Sequence, residues 1–378
     1  MAELKRKLVG LVYGFFRLFP IKKKQVFIFS YYGEQYSGSP KYIGQYLMTK
    51  PDMCVVWAFV QPEKHGDVPS KKVRYGHWDY YYCLATSGTI ITNYRMTSDF
   101  VKRPGQKYIQ TWHSSLRLKM IEKDAEESLP PHYIEMAKRD SAQIDYLLAG
   151  SEKSRKIFES AFWYQGMIVN SGTPQCDILF EDREPIKKKV FQFYNIPDGC
   201  HVALYAPTFR KNHDTSVYDL NTEAVISALK ERFGGDWVLL MRLHPHLVNL
   251  TDCFHYSDRV LQATDYDDVQ ELLAAADFLI SDYSAIMFDF AVTGRPCVLY
   301  TPDYQEYTET DRKLYFDIKK LPFPCFEDQT KMLSYIEEFP DKEYTERLDG
   351  FMDEIGSFDD GNASARVYDL IWGKEKCV

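Results

Sequence analysis

Residues 276–300 read ADFLISDYSAIMFDFAVTGRPCVLY: a strand, a turn, a helix and a second strand in immediate succession. Residues 278–281 are apolar and strand-like, and Ser284 stands where a helix cap would stand. Ile286, Met287, Phe290 and Ala291 give a helical apolar face that Gly294 ends. Residues 296–300 form the next strand. Two apolar strands joined by a short helix make a parallel crossover, whose sheet is covered on both faces. The turn Asp282, Tyr283, Ser284 then lies at the carboxyl end of a strand and the amino end of a helix, where free N–H groups and the helix dipole favour an anion.

Outward from this unit the pattern repeats. On the amino-terminal side, short apolar runs at 26–29, 55–60, 89–92, 108–111, 146–149 and 167–169 alternate with helical segments. Closer to the opening stretch, 201–206, 237–243 and 260–262 read as strands, with helices at 222–232 and 267–275. Asp267 reads as the cap of the last of these, with Gln270 three residues on. Between the two series the apolar pattern gives way to EDREPIKKK (181–189) and a short helix at 190–194, closed by Asn195, Pro197 and Gly199, which together read as a linker over 180–197. The fold class expected is α/β, GT-B-like: two Rossmann-type parallel-sheet domains facing each other across a cleft. The domains expected are 1–24 as a membrane-associating segment, 25–185, 186–345, and 346–378 as terminal helices that cross back to the first domain.

The chain has 378 residues, 45% of them hydrophobic and 26% charged, which is the balance of a folded protein rather than a disordered one. A net charge of −8 argues against a general nucleic-acid binder, which needs a basic face. The eight cysteines form no C-x-x-C pair, so neither a zinc site nor a disulfide framework is expected. Residues 1–24, MAELKRKLVGLVYGFFRLFPIKKK, place an apolar run between two lysine-rich flanks. The run is too short to span a bilayer and suits a basic interfacial helix, with Phe15, Phe16 and Leu18 in the lipid and the lysines on anionic headgroups.

Ligands of open α/β sheets gather at the carboxyl ends of the strands. There the sequence places Gly33 and Lys41 in the loop YYGEQYSGSPKY (31–42), and His113, Ser114 and Lys119 in TWHSSLRLK (111–119). It also places Thr208 and Arg210 after the strand at 201–206, Arg242 and His244 in RLHP (242–245), and Ser281, Asp282 and Ser284 in the opening stretch. Arginine forks, hydroxyls, imidazoles and a helix amino end together are a receptor for a phosphate pair. No divalent metal is expected, because these groups can neutralise a diphosphate and the acidic run Asp265, Asp267, Asp268 reads as a helix start.

YAPTFR (205–210), RLHP (242–245), residues 280–307 and QTWHSSLRLKMI (110–121) together resemble the CDP-glycerol glycerophosphotransferase family of teichoic acid and capsule polymer synthesis. SGTPQCD (171–177) and DRKLYFD (311–317) are similar to two further segments of that family. The resemblance implies a membrane-associated enzyme on the cytoplasmic face of the cell membrane. It would transfer glycerol phosphate from CDP-glycerol to a hydroxyl of a lipid-linked acceptor, releasing CMP without a cofactor.

By the same resemblance the family's two functional histidines map onto His113 and His244, and its phosphate-binding residues onto Thr208, Arg210, Arg242 and Ser284. The sequence departs from the family where Ser114, Ser115 and Leu116 replace Gly-Thr-Pro, and where Gln175 and Cys176 replace Arg and Asn. An imidazole titrates near neutrality, so either histidine can accept the proton of an attacking hydroxyl. CDP-ribitol as donor, a nucleotide-sugar glycosyltransferase and a non-catalytic nucleotide-binding scaffold are the alternative readings.

Overall fold

The structure, a computed structural model, describes residues 2–97, 99–210, 216–243, 254–310 and 313–373. The chain divides into two compact units. Unit 1 comprises Met1–Ser115, Ile121–Asp177 and Phe358–Val378, and unit 2 comprises Leu116–Met120 and Ile178–Ser357.

Unit 1 is built on a seven-stranded, all-parallel sheet: β1 (Lys22–Phe29), β2 (Cys54–Phe59), β3 (Lys71–Arg74), β4 (Ser87–Thr92), β5 (Lys107–Gln110), β6 (Tyr146–Ala149) and β7 (Met167–Asn170). Their spatial order is β3-β2-β1-β4-β5-β6-β7, so the chain reverses direction across the sheet between β1 and β4. Val26 to Phe29 of β1 and all of β4 are buried, as expected for central strands covered on both faces. Beside β1, Gly88 is required by close approach: a Cβ there would lie 2.6 Å from the Lys23 carbonyl oxygen. β3 escaped the sequence reading because an edge strand reading Lys-Lys-Val-Arg has no apolar run to find.

Unit 2 carries a six-stranded parallel sheet: β8 (His201–Tyr205), β9 (Trp237–Met241), β10 (Val260–Gln262), β11 (Phe278–Ser281), β12 (Cys297–Tyr300) and β13 (Cys325–Phe326). The order is β10-β9-β8-β11-β12-β13, with the reversal between β8 and β11. The two-residue β13 was also missed, being too short to show a period. The α/β class of two parallel-sheet units, consistent with a GT-B-like fold, is the one read from the sequence.

The helix expected over 190–194 of the linker starts earlier, as Arg183–Tyr194 of unit 2, capped by Asp182, whose side chain accepts from the Glu184 N–H. Arg183 and Lys187 pair with Asp277, at 2.7 and 3.3 Å, and Lys189 pairs with Glu271 at 2.7 Å. The helix Val269–Ala275 is capped by Asp268, which accepts from Gln270 N at 3.0 Å, and not by Asp267. The Gln270 side chain turns away to donate to Asp289.

The last helix, Ala363–Trp372, belongs to unit 1, where Val367 and Ile371 join the core with Ile43, Leu47 and Trp57. Asp177 caps it from a distance in sequence, accepting from Ala363 N and Ser364 N at 2.9 and 2.8 Å.

At the amino end a helix spans Ala2–Phe16, but Lys22, Lys23 and Lys24 open β1 rather than extending an interfacial helix. Phe16 packs edge-on against Tyr82 and Tyr13 is buried, whereas Leu11, Phe15 and Leu18 are 72%, 58% and 80% exposed. Phe16 is therefore a packing residue, not one of a lipid-facing set. Among the described residues no helix is long and apolar enough to cross a membrane.

Candidate active site

In unit 2 the two strand ends at the sheet reversal converge on Asp282. Ala206 continues β8, with its N–H on the Ile280 carbonyl, and Ser281 Oγ donates to the Ala206 carbonyl at 2.9 Å. Asp282, directly after β11, accepts from Thr208 N at 2.8 Å, Thr208 Oγ1 at 2.7 Å and Arg210 Nη1 at 2.8 Å. Arg210 then forks onto Asp303, with Nε to Oδ2 at 2.6 Å and Nη2 to Oδ1 at 3.1 Å. Its plane lies 4.9 Å from the ring centres of Tyr283 and Tyr307, which stack on each other at 3.6 Å. Tyr218 Oη closes the loop, accepting from Arg210 N and donating to the Thr208 carbonyl.

Burial opposes the Arg210 charge, but Asp282 and Asp303 outweigh it and raise the guanidinium above its ordinary range. Burial raises Tyr283 as well, helped by Asp303. The sequence reading took Thr208 and Arg210 as donors to a phosphate. In this structure both donate to buried carboxylates, and these bonds brace the β8 and β11 loops. Asp303, Tyr218 and Tyr307 were not singled out, although Asp303 lies within the quoted segment 280–307.

Ser284 is not a helix cap: the helix Ile286–Ala291 has Ala285 at that position, with no side-chain cap bond. Arg242 Nη1 donates to the carbonyls of Ala263 and Tyr266, at 2.9 and 2.5 Å, and so ties the end of β9 to the segment after β10. His244 lies outside the described residues. Lys119, expected on the acceptor side, belongs to unit 2. The segment Leu116–Met120 pairs with residues 313–315 through Met120 N and Tyr315 N, and Lys119 Nζ sits 5.1 Å above the Tyr307 ring. Arg117 on the same segment is buried, and burial lowers its guanidinium to about 9 although Asp289 and Tyr315 pull it back.

In unit 1 the ends of β1 and β5 carry aromatic residues in a left-handed backbone: Tyr31, Tyr32 and Trp112 have φ of 48°, 55° and 55°. Each such residue costs roughly 1–3 kcal/mol and persists only where its surroundings enforce it. Buried Gln110 is one enforcer: its Oε1 accepts from Trp112 N at 2.9 Å and its Nε2 donates to the Tyr94 carbonyl at 2.8 Å. His113 follows the strained Trp112, its ring 4.6 Å from the Trp112 ring and 5.4 Å from Tyr94, which in turn contacts Tyr31 and Tyr32 at 5.1 Å. Behind Trp112, buried Arg95 pairs with Glu122 at 2.7 Å and Asp140 at 3.1 Å. Burial raises Asp140 to about 6 despite Arg95.

Ser114 is half-buried beside His113. Gly33, read as a point of ligand approach, is a packing glycine with φ +85°, where a Cβ would lie 3.1 Å from the Ala58 carbonyl oxygen. Lys41 is buried in the helix Gly38–Met48, its Nζ 5.3 and 5.2 Å from the Tyr36 and Tyr42 rings. Among the described residues no three His, Cys, Asp or Glu side chains are grouped to hold a metal ion.

Residues 11–373, which include both strand-end clusters, match the family model of CDP-Glycerol:Poly(glycerophosphate) glycerophosphotransferase. The chain belongs to this family. It is 30% identical to the teichoic acid glycerol-phosphate transferase of Staphylococcus aureus, with 93% of each chain covered. It is also 30% identical to the teichoic acid poly(glycerol phosphate) polymerase of Staphylococcus epidermidis over 93% of this chain, but it spans about half, 51%, of that relative's length. A solved structure of the wall teichoic acid polymerase TagF, a histidine-to-asparagine variant soaked with CDPG, is similar at a TM-score of 0.84 and 29% identity. The match covers 96% of this chain and 93% of that one.

Proposed function

We propose that this glycerophosphotransferase family member moves glycerol phosphate from CDP-glycerol to a hydroxyl of a lipid-linked acceptor, releasing CMP. The family match over residues 11–373 carries the reading. The donor assignment is supported by the similarity to a TagF structure soaked with CDPG. In this reading the acceptor oxygen attacks the phosphorus that bears glycerol, and the bond from that phosphorus to the CMP oxygen breaks. His113 takes the acceptor proton, and His244 with Arg242 serves the donor's diphosphate. A base removed from such a step costs roughly a hundred to ten-thousandfold in rate.

The test combines calorimetric donor binding with single-turnover CMP release. His113→Ala is expected to lose turnover and keep CDP-glycerol affinity, and His244→Ala to lose both. The opposite pattern exchanges the two roles. Mass spectrometry of the acceptor after separate incubation with CDP-glycerol and CDP-ribitol identifies the polyol, and UDP release from a UDP-sugar would overturn the assignment.

The same reading places the enzyme on the cytoplasmic face of the membrane as a peripheral protein. Exposed Leu11, Phe15 and Leu18 support it, since an exposed apolar cluster at a basic terminus suits an anionic lipid surface. Co-sedimentation with anionic vesicles, unchanged after all three are replaced by serine, would refute it.

A further inference from the structure

The proton transfer assigned to His113 needs the imidazole held in place, since a misplacement of about 1 Å costs about a hundredfold in rate. Trp112, the residue before it, has φ +55°, a backbone that an L side chain rarely adopts. Its indole N–H makes no hydrogen bond among the described residues, so the side chain has no polar anchor and packs on Phe162 at 4.8 Å and on the Arg95 guanidinium at 5.8 Å. The backbone is different, because both peptide planes that meet at Trp112 are tied. Gln110 Oε1 accepts from Trp112 N at 2.9 Å, and Thr111 Oγ1 donates to the Trp112 carbonyl at 2.8 Å. The first plane sets φ of Trp112 and the second sets ψ, and the second plane also contains the His113 nitrogen. Two side chains, both buried, therefore decide where the His113 backbone begins.

The Gln110 amide has one orientation that satisfies its neighbours. Asp140 is paired with Arg95 Nη1 at 3.1 Å and accepts from Tyr108 Oη at 3.1 Å, so the Tyr108 hydroxyl places its one proton there and must accept from Gln110 Nε2, also at 3.1 Å. Nε2 donates a second time, to the Tyr94 carbonyl at 2.8 Å, which leaves Oε1 for Trp112 N. Tyr94 and Trp112 carry the two rings that flank His113, at 5.4 and 4.6 Å. One buried amide thus holds the backbone of both walls of the imidazole. A left-handed tryptophan lowers stability and persists only where its surroundings enforce it, and what this one delivers is the placement of the residue after it.

We propose that Gln110 and Thr111 are positioning residues for His113: they lock Trp112 in its left-handed backbone and so hold the imidazole where it takes the acceptor proton. The inference rests on the reading of His113 as the base. Neither residue touches a substrate in it, so both act on the rate only through the histidine. Gln110 carries the larger share, because it also holds Tyr94, whereas Thr111 holds only the Trp112 carbonyl.

The experiment uses the full chain and the variants Gln110→Met, Thr111→Val and His113→Ala, with the first two also made in the His113→Ala background. Gln110→Met keeps the length of the side chain and removes its donor and its acceptor, and Thr111→Val keeps the branching and removes the hydroxyl. Single-turnover CMP release, acceptor KM, calorimetric CDP-glycerol Kd and thermal melts are measured, with imidazole NMR spectra of histidine-labelled protein. The His113 signal is the one that His113→Ala deletes. The expected result in a folded variant is a single-turnover rate lowered at least about tenfold, with acceptor KM and donor Kd within about twofold. The His113 signal moves, because the flanking rings of Trp112 and Tyr94 shift against it, and the other histidine signals stay. In the His113→Ala background neither substitution lowers the residual rate further. If Gln110→Met does not fold, Thr111→Val decides. An unchanged rate in both folded variants overturns the proposal, as does an unmoved His113 signal. A further loss of rate in the His113→Ala background also overturns it, since the two residues would then act on something other than His113. Failure of the base assignment is seen separately, as His113→Ala turning over like wild type, because the His113 signal tests the lock without any turnover.

Discussion

Replacing Arg210 by glutamine separates a scaffold from a phosphate receptor. Its two partners are almost wholly buried, with side-chain exposures of 2% for Asp282 and 9% for Asp303. Without the guanidinium, two carboxylates face one another. Like charges ~5 Å apart at an effective dielectric near 20 repel by ~3 kcal/mol, and breaking a buried pair from one side costs roughly 3–5 kcal/mol in general. Arg210→Gln should therefore destabilise unit 2 by roughly 3–5 kcal/mol, or about 6–20 °C in its melting temperature for a unit of this size.

The sign of a second substitution is the sharper test. In the wild type, Asp282→Asn weakens a charge-assisted bond to Arg210 and should cost about 1.5–3 kcal/mol. In the Arg210→Gln background it removes one of two repelling charges and should restore stability. Calorimetric melting of the four proteins closes the cycle. An Arg210→Gln melt within about 1 kcal/mol of wild type, combined with lost CDP-glycerol affinity, would return Arg210 to the role of phosphate ligand. Equal effects of Asp282→Asn in both backgrounds would refute the charge argument itself.

Gly88→Ala should cost about 1–3 kcal/mol, because the added methyl meets the backbone of Lys23 rather than a side chain that can turn away; a melt equal to wild type would show that β1 shifts freely. The raised pKa of Asp140, about 6 against an ordinary 3.8, means that the native state keeps a proton the unfolded chain has released. The stability this contributes is full below about pH 4 and lost as pH rises through about 6, by ~3 kcal/mol. Urea unfolding at several pH values should show that decline in wild type and not in Asp140→Asn, and parallel curves would contradict it. EDTA is expected to leave CMP release unchanged, since Asp282 is occupied by N–H and O–H donors and Asp289 accepts from Gln270. Loss of turnover restored by magnesium would overturn that expectation.

The α/β class was legible from the sequence because buried parallel strands write themselves as apolar runs. The runs at 146–149, 260–262 and 278–281 coincide with β6, β10 and β11. The strand ends that carry chemistry followed from the same pattern, since a strand's last apolar residue marks where its loop begins. What the side chains of those loops do was not legible. Thr208 and Arg210 look the same in sequence whether they face a phosphate or a carboxylate, and their partners Asp282 and Asp303 lie 74 and 93 residues away. The basic first half of the helix Arg183–Tyr194 was not read as helix for the same reason, its charges being answered by Asp277 and Glu271 far along the chain. Local sequence sets the period of a strand or a helix. Whether a polar group on a loop is a ligand or a strut depends on which distant residue the sheet order brings beside it, and that only the tertiary structure decides.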